Sequence, residues 1–317
     1  MIATIFRDIT NLYHQHLFSK DGEQARNYLS DRGLNDETCK KFKIGYCSNN
    51  IGLEYCSKQY TDAQIKQSQL FKFGKDFFNG RIVFPLIQGN ETLYFTSRSL
   101  NKKAPHLHMA GPIPIPYNVN SIDKDPLIIV ESPIDCLTLE QCGYNSIAAL
   151  GIYGLKNEFI KQITAKGVYI AYDYDPNDSG AVGASRIAEL LMKHSILAHI
   201  VSWPSGGTKM DVNAFYRVHS NGSFIGCFNE LLNMAIPYTK TLEFRNSEIQ
   251  NHKKKRGSFY GLVKKYGWHV EGSNRVKILC PFHRDNKPSL VIYLDTNSAH
   301  CFGCGKHPSA IELEKKL

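Results

Sequence analysis

The sequence predicts an α/β protein: a parallel sheet flanked by helices, with an α+β subdomain before it and a small cysteine-bearing ribbon after it. Three observations predict this. From Pro126 onward, short apolar runs alternate with helical stretches. Ahead of that, "GRIVFPLIQGNETLYFTSRSL" has the pattern of a hairpin set after helical segments. At the end, two tight Cys/His and Cys/Cys pairs flank an alternating stretch.

Residues 1–60 have a helical pattern with short breaks. A break falls at Gly33, and Asn35 or Asp36 is placed to cap the next helix, with Phe42 and Ile44 on its buried side. The hairpin follows, as strand Arg81–Ile87, turn Gly89-Asn90 and strand Thr92–Ser97. "GPIPIPYNVN" is a proline-rich connector. Then "PLIIVES", "SIAALG", "GVYIAYD" and "LAHIVSW" are four strands, separated by helices in "IDCLTLEQCG", "NEFIKQIT" and "SGAVGASRIAELLMKH". Apolar strands alternating with helices imply a parallel sheet covered on both faces. "KTLEFRNSEIQNHKKKRG" is polar and ends in four consecutive basic residues, which marks a boundary. The expected divisions are 1–120, 121–238, a basic linker 239–257, and 258–317.

The composition is that of an ordinary globular protein, with 317 residues, 42% hydrophobic and 21% charged. No run of about 18 apolar residues is present, so no membrane span is expected. The start, "MIATIFRDITNLYHQHL", is punctuated by polar residues and lacks the apolar stretch of a signal peptide. The cysteines number nine and are scattered, which points to a reducing, cytoplasmic compartment. The net charge of +9 is unevenly placed: residues 251–317 hold 13 Lys/Arg against 5 Asp/Glu. A basic module on a near-neutral body suits a polyanionic partner, though a solubilising face has the same composition.

Acidic residues follow three of the strands, where an α/β sheet places its chemistry. Glu131 ends "LIIVE", with Asp135 one helical turn later. "YDYDPNDSG" gives Asp173 and Asp175, with Asp178 close behind, and "PSGGTKMDVNAFY" gives Asp211. Packed carboxylates repel and call for a compensating cation. Mg²⁺ (or Mn²⁺) with oxygen ligands suits them, and a pair of such ions suits phosphoryl or nucleotidyl transfer. The plainer reading is that some of these acids cap helices, Asp135 and Asp178 above all. Cys280-x₂-His283 and Cys301-x₂-Cys304 form a complete tetrahedral donor set for structural Zn²⁺. Between and beside them lie Phe282, Arg284, Lys287, Tyr293, His300 and Phe302, a mixture suited either to stacking on single-stranded nucleic acid or to a mini-core.

These motifs resemble a known family. "LIIVESPIDCLTL" is similar to the Glu-Gly-x-x-Asp motif of the Toprim domain, with Ser132 at the glycine position, and "YIAYDYDPNDSG" is similar to its Asp-x-Asp motif. "ARNYLSDRGLNDETCKKFKIGYC" and "GRIVFPLIQGNETLYFTSRSL" resemble the N-terminal part of the RNA-polymerase core of bacterial-type (DnaG-like) primases. "CPFHRDNKPSL" and "CFGCG" resemble the primase zinc-binding domain, here last in the chain instead of first. The shortened segment "PIPIPYN" is similar to that of phage and mobile-element primases.

The resemblance implies a Toprim-type sheet, an α+β N-terminal subdomain and a C-terminal zinc ribbon. It implies a metal-dependent nucleotidyltransferase making RNA primers on single-stranded DNA from NTPs, with Glu131, Asp173, Asp175 and Asp211 at the metals. Arg81 and Arg98 match basic residues of the family that contact template or triphosphate. The family lysine is His106 here, neutral or partly charged near pH 7, and Lys102 and Lys103 are candidates to replace its charge. Asn213 stands where the family often has another acid. No Gly-x₄-Gly-Lys-Ser/Thr loop is present, so a helicase would be a separate partner. A Toprim nuclease and a non-catalytic single-strand-binding accessory protein are the alternative functions.

Overall fold

The computed structural model describes residues 2–101, 106–151, 155–174, 179–204, 209–220, 222–238, 258–270, 275–294 and 298–317. They fall into two compact units, Met1–Lys240 and Thr241–Leu317. The expected N-terminal and parallel-sheet regions both lie in the first. The expected linker 239–257 lies outside the described residues from its first position.

The first unit opens with α1 (Ile2–Leu17). Its buried residues Ile5, Ile9, Tyr13 and Leu17 recur every four positions and, with Phe6 beside them, form one apolar stripe. Helices α2 (Glu23–Asp31) and α3 (Asp36–Lys41) follow, with Asn35 capping α3 through Thr38 N–H at 2.7 Å. The helical stretch expected over 1–60 is broken by β1 (Gly45–Cys47), a strand too short to carry a period of its own. Helices α4 (Ile51–Gln59) and α5 (Asp62–Ser68) and a small hairpin, β2 (Phe71–Lys72) with β3 (Lys75–Asp76), complete this region.

The main hairpin is β4 (Arg81–Gln88) and β5 (Glu91–Ser99), turning at Gly89-Asn90 as expected. With β1 and β6 (Leu107–His108) it makes an antiparallel sheet of order β1-β4-β5-β6. Thr96 pairs with His108, which brings residue 106 beside Arg98.

The second sheet is built on β7 (Leu127–Val130), β8 (Ser146–Ala148), β9 (Val168–Ile170) and β10 (Ala198–Ile200), all parallel, in the order β10-β9-β7-β8. A short antiparallel edge, β11 (Ile236–Pro237), adds to β10. Helices α6 (Pro133–Gln141), α7 (Asn157–Ile160), α8 (Ser179–Lys193), α9 (Val212–Val218) and α10 (Phe224–Asn233) lie between or after the strands. The helix expected over "NEFIKQIT" stops after one turn. Each residue of β7 is fully buried, which explains a run without alternation.

The second unit holds α11 (Phe259–Tyr266), an antiparallel sheet of β12 (Arg275–Ile278), β13 (Leu290–Tyr293) and β14 (Ser298–Cys301), and α12 (Ala310–Glu314). Phe259, Leu262, Val276, Leu290, Ile292 and Leu313 form its core. Ser258 caps α11, and Ser309 with Glu312 makes a capping box on α12. No helix among the described residues is long and apolar enough to cross a membrane.

Candidate functional site

A cavity of about 470 Å³ opens at the carboxyl ends of β7 and β9. Glu131, Asp135, Asp173 and Asp211 all line it. Adjacency of the strands explains the convergence: β7 pairs with β9, and β9 with β10. Glu131 is the first residue past β7, and its backbone carbonyl accepts from Leu150 N–H at 3.0 Å. Asp173 stands three residues past β9. Gly180, in the first turn of α8, lies so close to it that a Cβ there would sit 1.7 Å from the Asp173 carbonyl oxygen. Only glycine lets the helix start against the strand end. Asp175 and Asp178 lie outside the described residues.

Asp135 is not the helix cap. Ser132 holds that position, and its hydroxyl donates to Asp135 Oδ2 at 2.5 Å. The Asn213 backbone N–H donates to Asp135 Oδ1 at 2.9 Å. The carboxyl is thus buried inside the cluster, and its pKa is pushed well up by burial first, then by the charges of Asp211 and Asp173. The cap role instead falls on Asp211, whose Oδ1 accepts from Ala214 N–H at 2.6 Å at the start of α9. Asn213 is buried behind the acids. Its Nδ2 donates to the Arg32 carbonyl and to Thr138 Oγ1, and its Oδ1 accepts from Arg32 Nη1 at 3.2 Å.

One pH prediction follows from Asp135. A folded-state pKa raised above the unfolded value favours folding while the group is protonated. That contribution is lost as pH rises past about 4 and through the raised value. Asp135→Asn is therefore expected to stabilise the chain in the absence of added divalent metal, by about 1–3 kcal/mol near neutrality, with the gain shrinking toward pH 4. Thermal denaturation of both proteins across that range reads it. A gain that does not vary with pH would refute the electrostatic account.

Nitrogen-bearing side chains share the cavity with the acids. Arg32, Arg98, His106, His108 and Lys209 line it with Thr96. Lys209 Nζ lies 3.0 Å from Asp173 Oδ2. Burial alone would lower this ammonium, but Asp173, with Asp211 and Glu131 behind it, raises it overall. Arg98 Nη1 donates to His106 Nε2 at 3.3 Å, so the ring proton sits on Nδ1. Loss of solvent around the ring, then the positive charges of Arg98, Arg81 and Lys209 among its neighbours, hold His106 down at about 4. Its imidazole is neutral at pH 7, although the residue as a whole keeps solvent contact. Arg81, at the first position of β4, does not line the cavity. Lys102 and Lys103 lie outside the described residues. Arg32, Thr96, His108 and Lys209 are the lining residues with polar side chains that sequence reasoning did not single out.

The acids fit a divalent cation chemically. They are all-oxygen donors lining one cavity, and at Asp135 burial, then the charges of Asp211 and Asp173, raise the carboxyl. They are not drawn tightly together. Among the described residues, the group that brings its donor atoms within 4.8 Å of one another is Cys280, His283, Cys301 and Cys304. There Cys280 Sγ is 3.9 Å from Cys304 Sγ, and Cys301 Sγ is 3.9 Å from His283 Nδ1. Tetrahedral Zn–S bonds of about 2.3 Å place sulfurs about 3.8 Å apart, so this set fits zinc.

The surroundings support the same fit. Asp285 accepts from Cys280 N–H at 2.9 Å and from Ser289 Oγ at 2.6 Å, and lies 3.9 Å from His283 Nε2. These bonds hold its carboxyl down at about 2. Burial raises the Cys280 thiol. At Cys301 burial is outweighed by the contact with Ser289 Oγ and by the Cys304 and Gly303 backbone N–H groups, which lower it to about 6. On the outer surface Phe302 is 67% exposed, while Lys306 lies over the half-buried Phe282 at 4.7 Å and Arg275 over Tyr293 at 5.6 Å.

Fold and sites together define a protein built on a Toprim-type sheet, with an α+β subdomain ahead of it and a zinc ribbon after it. Three family profiles match in that order: "DNA primase catalytic core, N-terminal domain" over 12–110, "Toprim-like" over 128–216, and "CHC2 zinc finger" over 246–317. The chain belongs to the DnaG-like primase family, with its zinc ribbon at the C-terminal end.

Among curated proteins it is 24% identical over 240 residues to the DNA primase of Staphylococcus epidermidis, covering 68% of this chain and 40% of that one. To the DNA primase of Buchnera aphidicola subsp. Baizongia pistaciae it is 27% identical over 209 residues, covering 59% and 36%. The chain thus spans about two fifths of the length of these relatives. The fold is similar to a DnaG catalytic core, with TM-score 0.65, 20% identity, and 79% of this chain and 84% of that one covered. It is also similar to an Aquifex aeolicus primase comprising zinc-binding and RNA-polymerase domains, with TM-score 0.63, 19% identity, and 80% and 66% covered. A DnaG primase catalytic domain bound to ssDNA matches with TM-score 0.65, 21% identity, and 78% and 83% covered.

Proposed function

We propose that the chain makes short RNA primers on single-stranded DNA by metal-dependent nucleotidyl transfer. The observation that carries this reading is the cavity in which Glu131, Asp173 and Asp211, each beyond a different strand, face Arg32, Arg98 and Lys209. Glu131, Asp173 and Asp211, joined by Asp175, would hold Mg²⁺ or Mn²⁺. When bound, such ions stabilise charge on the attacking oxygen, the α-phosphate and the departing pyrophosphate. The chain's own residues bind and orient. Arg32 and Arg98 offer planar guanidinium forks to phosphate oxygens. Lys209 tethers Asp173 and adds a point charge beside it. Neutral His106 accepts from Arg98 and so fixes that guanidinium, a role its cationic counterpart in the family pattern cannot fill in the same way. Arg81, Lys102 and Lys103 are proposed to contact template or triphosphate.

Cys280, His283, Cys301 and Cys304 are proposed to hold structural Zn²⁺, with Asp285 orienting the histidine. The ribbon's Phe302 and the cation-capped Phe282 and Tyr293 would meet unpaired bases and phosphates. Gly303 permits the histidine to close on the cysteines: a Cβ there would sit 2.7 Å from His283 Nε2 and 3.1 Å from Ser289 Oγ. Gly303→Ala is expected to weaken zinc binding by about 10–100-fold, the usual effect of disturbing a ligand's support. Competition with a chromogenic chelator measures it, and an unchanged zinc affinity would refute the packing argument.

The function is tested by incubating zinc-loaded protein with mixed-sequence single-stranded DNA, labelled NTPs and Mg²⁺ or Mn²⁺. Short RNA oligomers on a denaturing gel are expected. Cut template without oligomers would replace this reading with a nuclease, and intact template without oligomers would replace it with a binding protein.

A further inference from the structure

We propose that a second cavity in the first unit binds a nucleoside 5′-monophosphate, free or at the end of a strand. It encloses about 380 Å³, within the range of small-ligand sites, and shares no lining residue with the acidic cavity. Its walls come from α1, the end of α3, the β4–β5 hairpin, residues 117–124 and the end of α6. The proposal does not rest on the reaction assigned above.

Charge points to the ligand. Arg7, Lys41, Lys43 and Lys124 line the cavity, with Glu140 as the carboxylate among them. Glu140 is already engaged: Oε2 faces Lys41 Nζ at 3.3 Å, and Oε1 accepts from Asn118 Nδ2 at 2.8 Å, Ser146 N–H at 3.0 Å and Ser121 Oγ at 3.2 Å. Arg7 is paired with Asp8 at 3.3 Å. Lys43 and Lys124 make no ion pair among the described residues. Two uncompensated cations match a phosphomonoester, which carries about −1.5 to −2 at pH 7.

Lys43 is held there against backbone preference. It occupies the first position beyond the α3 cap, with φ of 52°. Ile44 N–H donates to the Cys39 carbonyl at 2.9 Å and Lys43 N–H to the Lys40 carbonyl at 3.2 Å, the bond pair that normally closes a helix on glycine. A side chain in this left-handed conformation costs about 1–2 kcal/mol. Keeping a lysine at such a position sets its ammonium at the cavity, and strain of this kind concentrates where a ligand is clamped. Beside it the half-buried Phe42 ring stacks toward Tyr117 at 6.3 Å, with Lys41 Nζ 5.0 Å from its centroid. That supplies a planar wall for a base, and Asn11 and Asn90 bring amides to the lining for its edge.

The test uses the full chain without added divalent metal, titrated with fluorescent N-methylanthraniloyl-AMP and -GMP. Saturable binding of one nucleotide per chain is expected, displaced by AMP or GMP and at least about tenfold less well by orthophosphate or adenosine. Lys43→Gly removes the charge and relieves the backbone, so its Tm should hold or rise while affinity falls about tenfold, the size of one charge-assisted contact. Lys124→Gln should weaken binding similarly, and Asp173→Asn should leave it unchanged. A 5′-phosphorylated tetranucleotide that competes as well as AMP identifies a strand end as the source, and one that does not identifies the free nucleotide. Both outcomes support the site. Absence of saturable binding, or affinity unchanged in Lys43→Gly and Lys124→Gln, overturns it. Orthophosphate competing as strongly as AMP overturns the nucleotide assignment.

Discussion

Cys301→Ser is expected to release the zinc and unfold the second unit. Structural zinc in ribbons of this kind contributes about 10–16 kcal/mol of binding free energy, which is folding free energy because the site does not preexist in the unfolded chain. The apolar core that remains, around Phe259, Val276, Leu290 and Leu313, belongs to a unit that runs from Thr241 to Leu317. A core of that size supplies at most about 3–5 kcal/mol. Cys301 is also fully buried, and its Sγ accepts from Cys304 N–H at 3.4 Å. Zinc should fall from one equivalent per chain to none, and limited proteolysis should digest the second unit while the first survives. A variant that keeps one zinc and resists the protease would show that the four side chains are not the ligand set.

Asp173→Asn is expected to lower the proposed primer synthesis by about 10³-fold or more, equivalent to about 4 kcal/mol of transition-state stabilisation. The substitution keeps the volume and removes one negative charge at the point where the strand ends converge. Lys209 loses its 3.0 Å partner, so the cavity gains net positive charge. Binding of single-stranded DNA should therefore hold or tighten while synthesis fails. That opposite movement separates a metal-holding role from a structural one. Activity within a few-fold of the starting protein would refute the assignment of Asp173.

The central sheet was legible because β7 and β8 are buried throughout and read as apolar runs, while β9 and β10 break only at half-buried Tyr169 and His199. The acids that end those runs were legible for the same reason. Glu131 and Asp173 interrupt the hydrophobic pattern at points where strand termini are unambiguous, and parallel neighbours bring such termini together. The zinc-type donors stood out because two short spacings repeat. The rest of the acidic cavity was not accessible in this way. His108 and Thr96 enter through the pairing of β5 with β6, and Arg32 through its bonds to Asn213, contacts between residues 181 positions apart. Lys209 sits in "PSGGTKMD", where no periodicity marks it. The assignment of caps failed locally: Ser132 outcompetes Asp135 because it stands immediately before Pro133 at the helix start, and the aspartate is left to turn inward. β1 and β11 were missed because two or three residues carry no pattern, and only long-range pairing makes them strands.

The double duty of Asp211 bears on how degenerate copies of such a protein are to be judged. Its carboxylate closes the start of α9 as well as facing the cavity, and losing a helix cap costs about 1 kcal/mol. A descendant that had lost the proposed primer synthesis but still needed to fold would be under pressure to keep it. Asp173 pairs with a side chain, Lys209 Nζ at 3.0 Å. The presence of an aspartate at 211 therefore says little about whether a given copy is active.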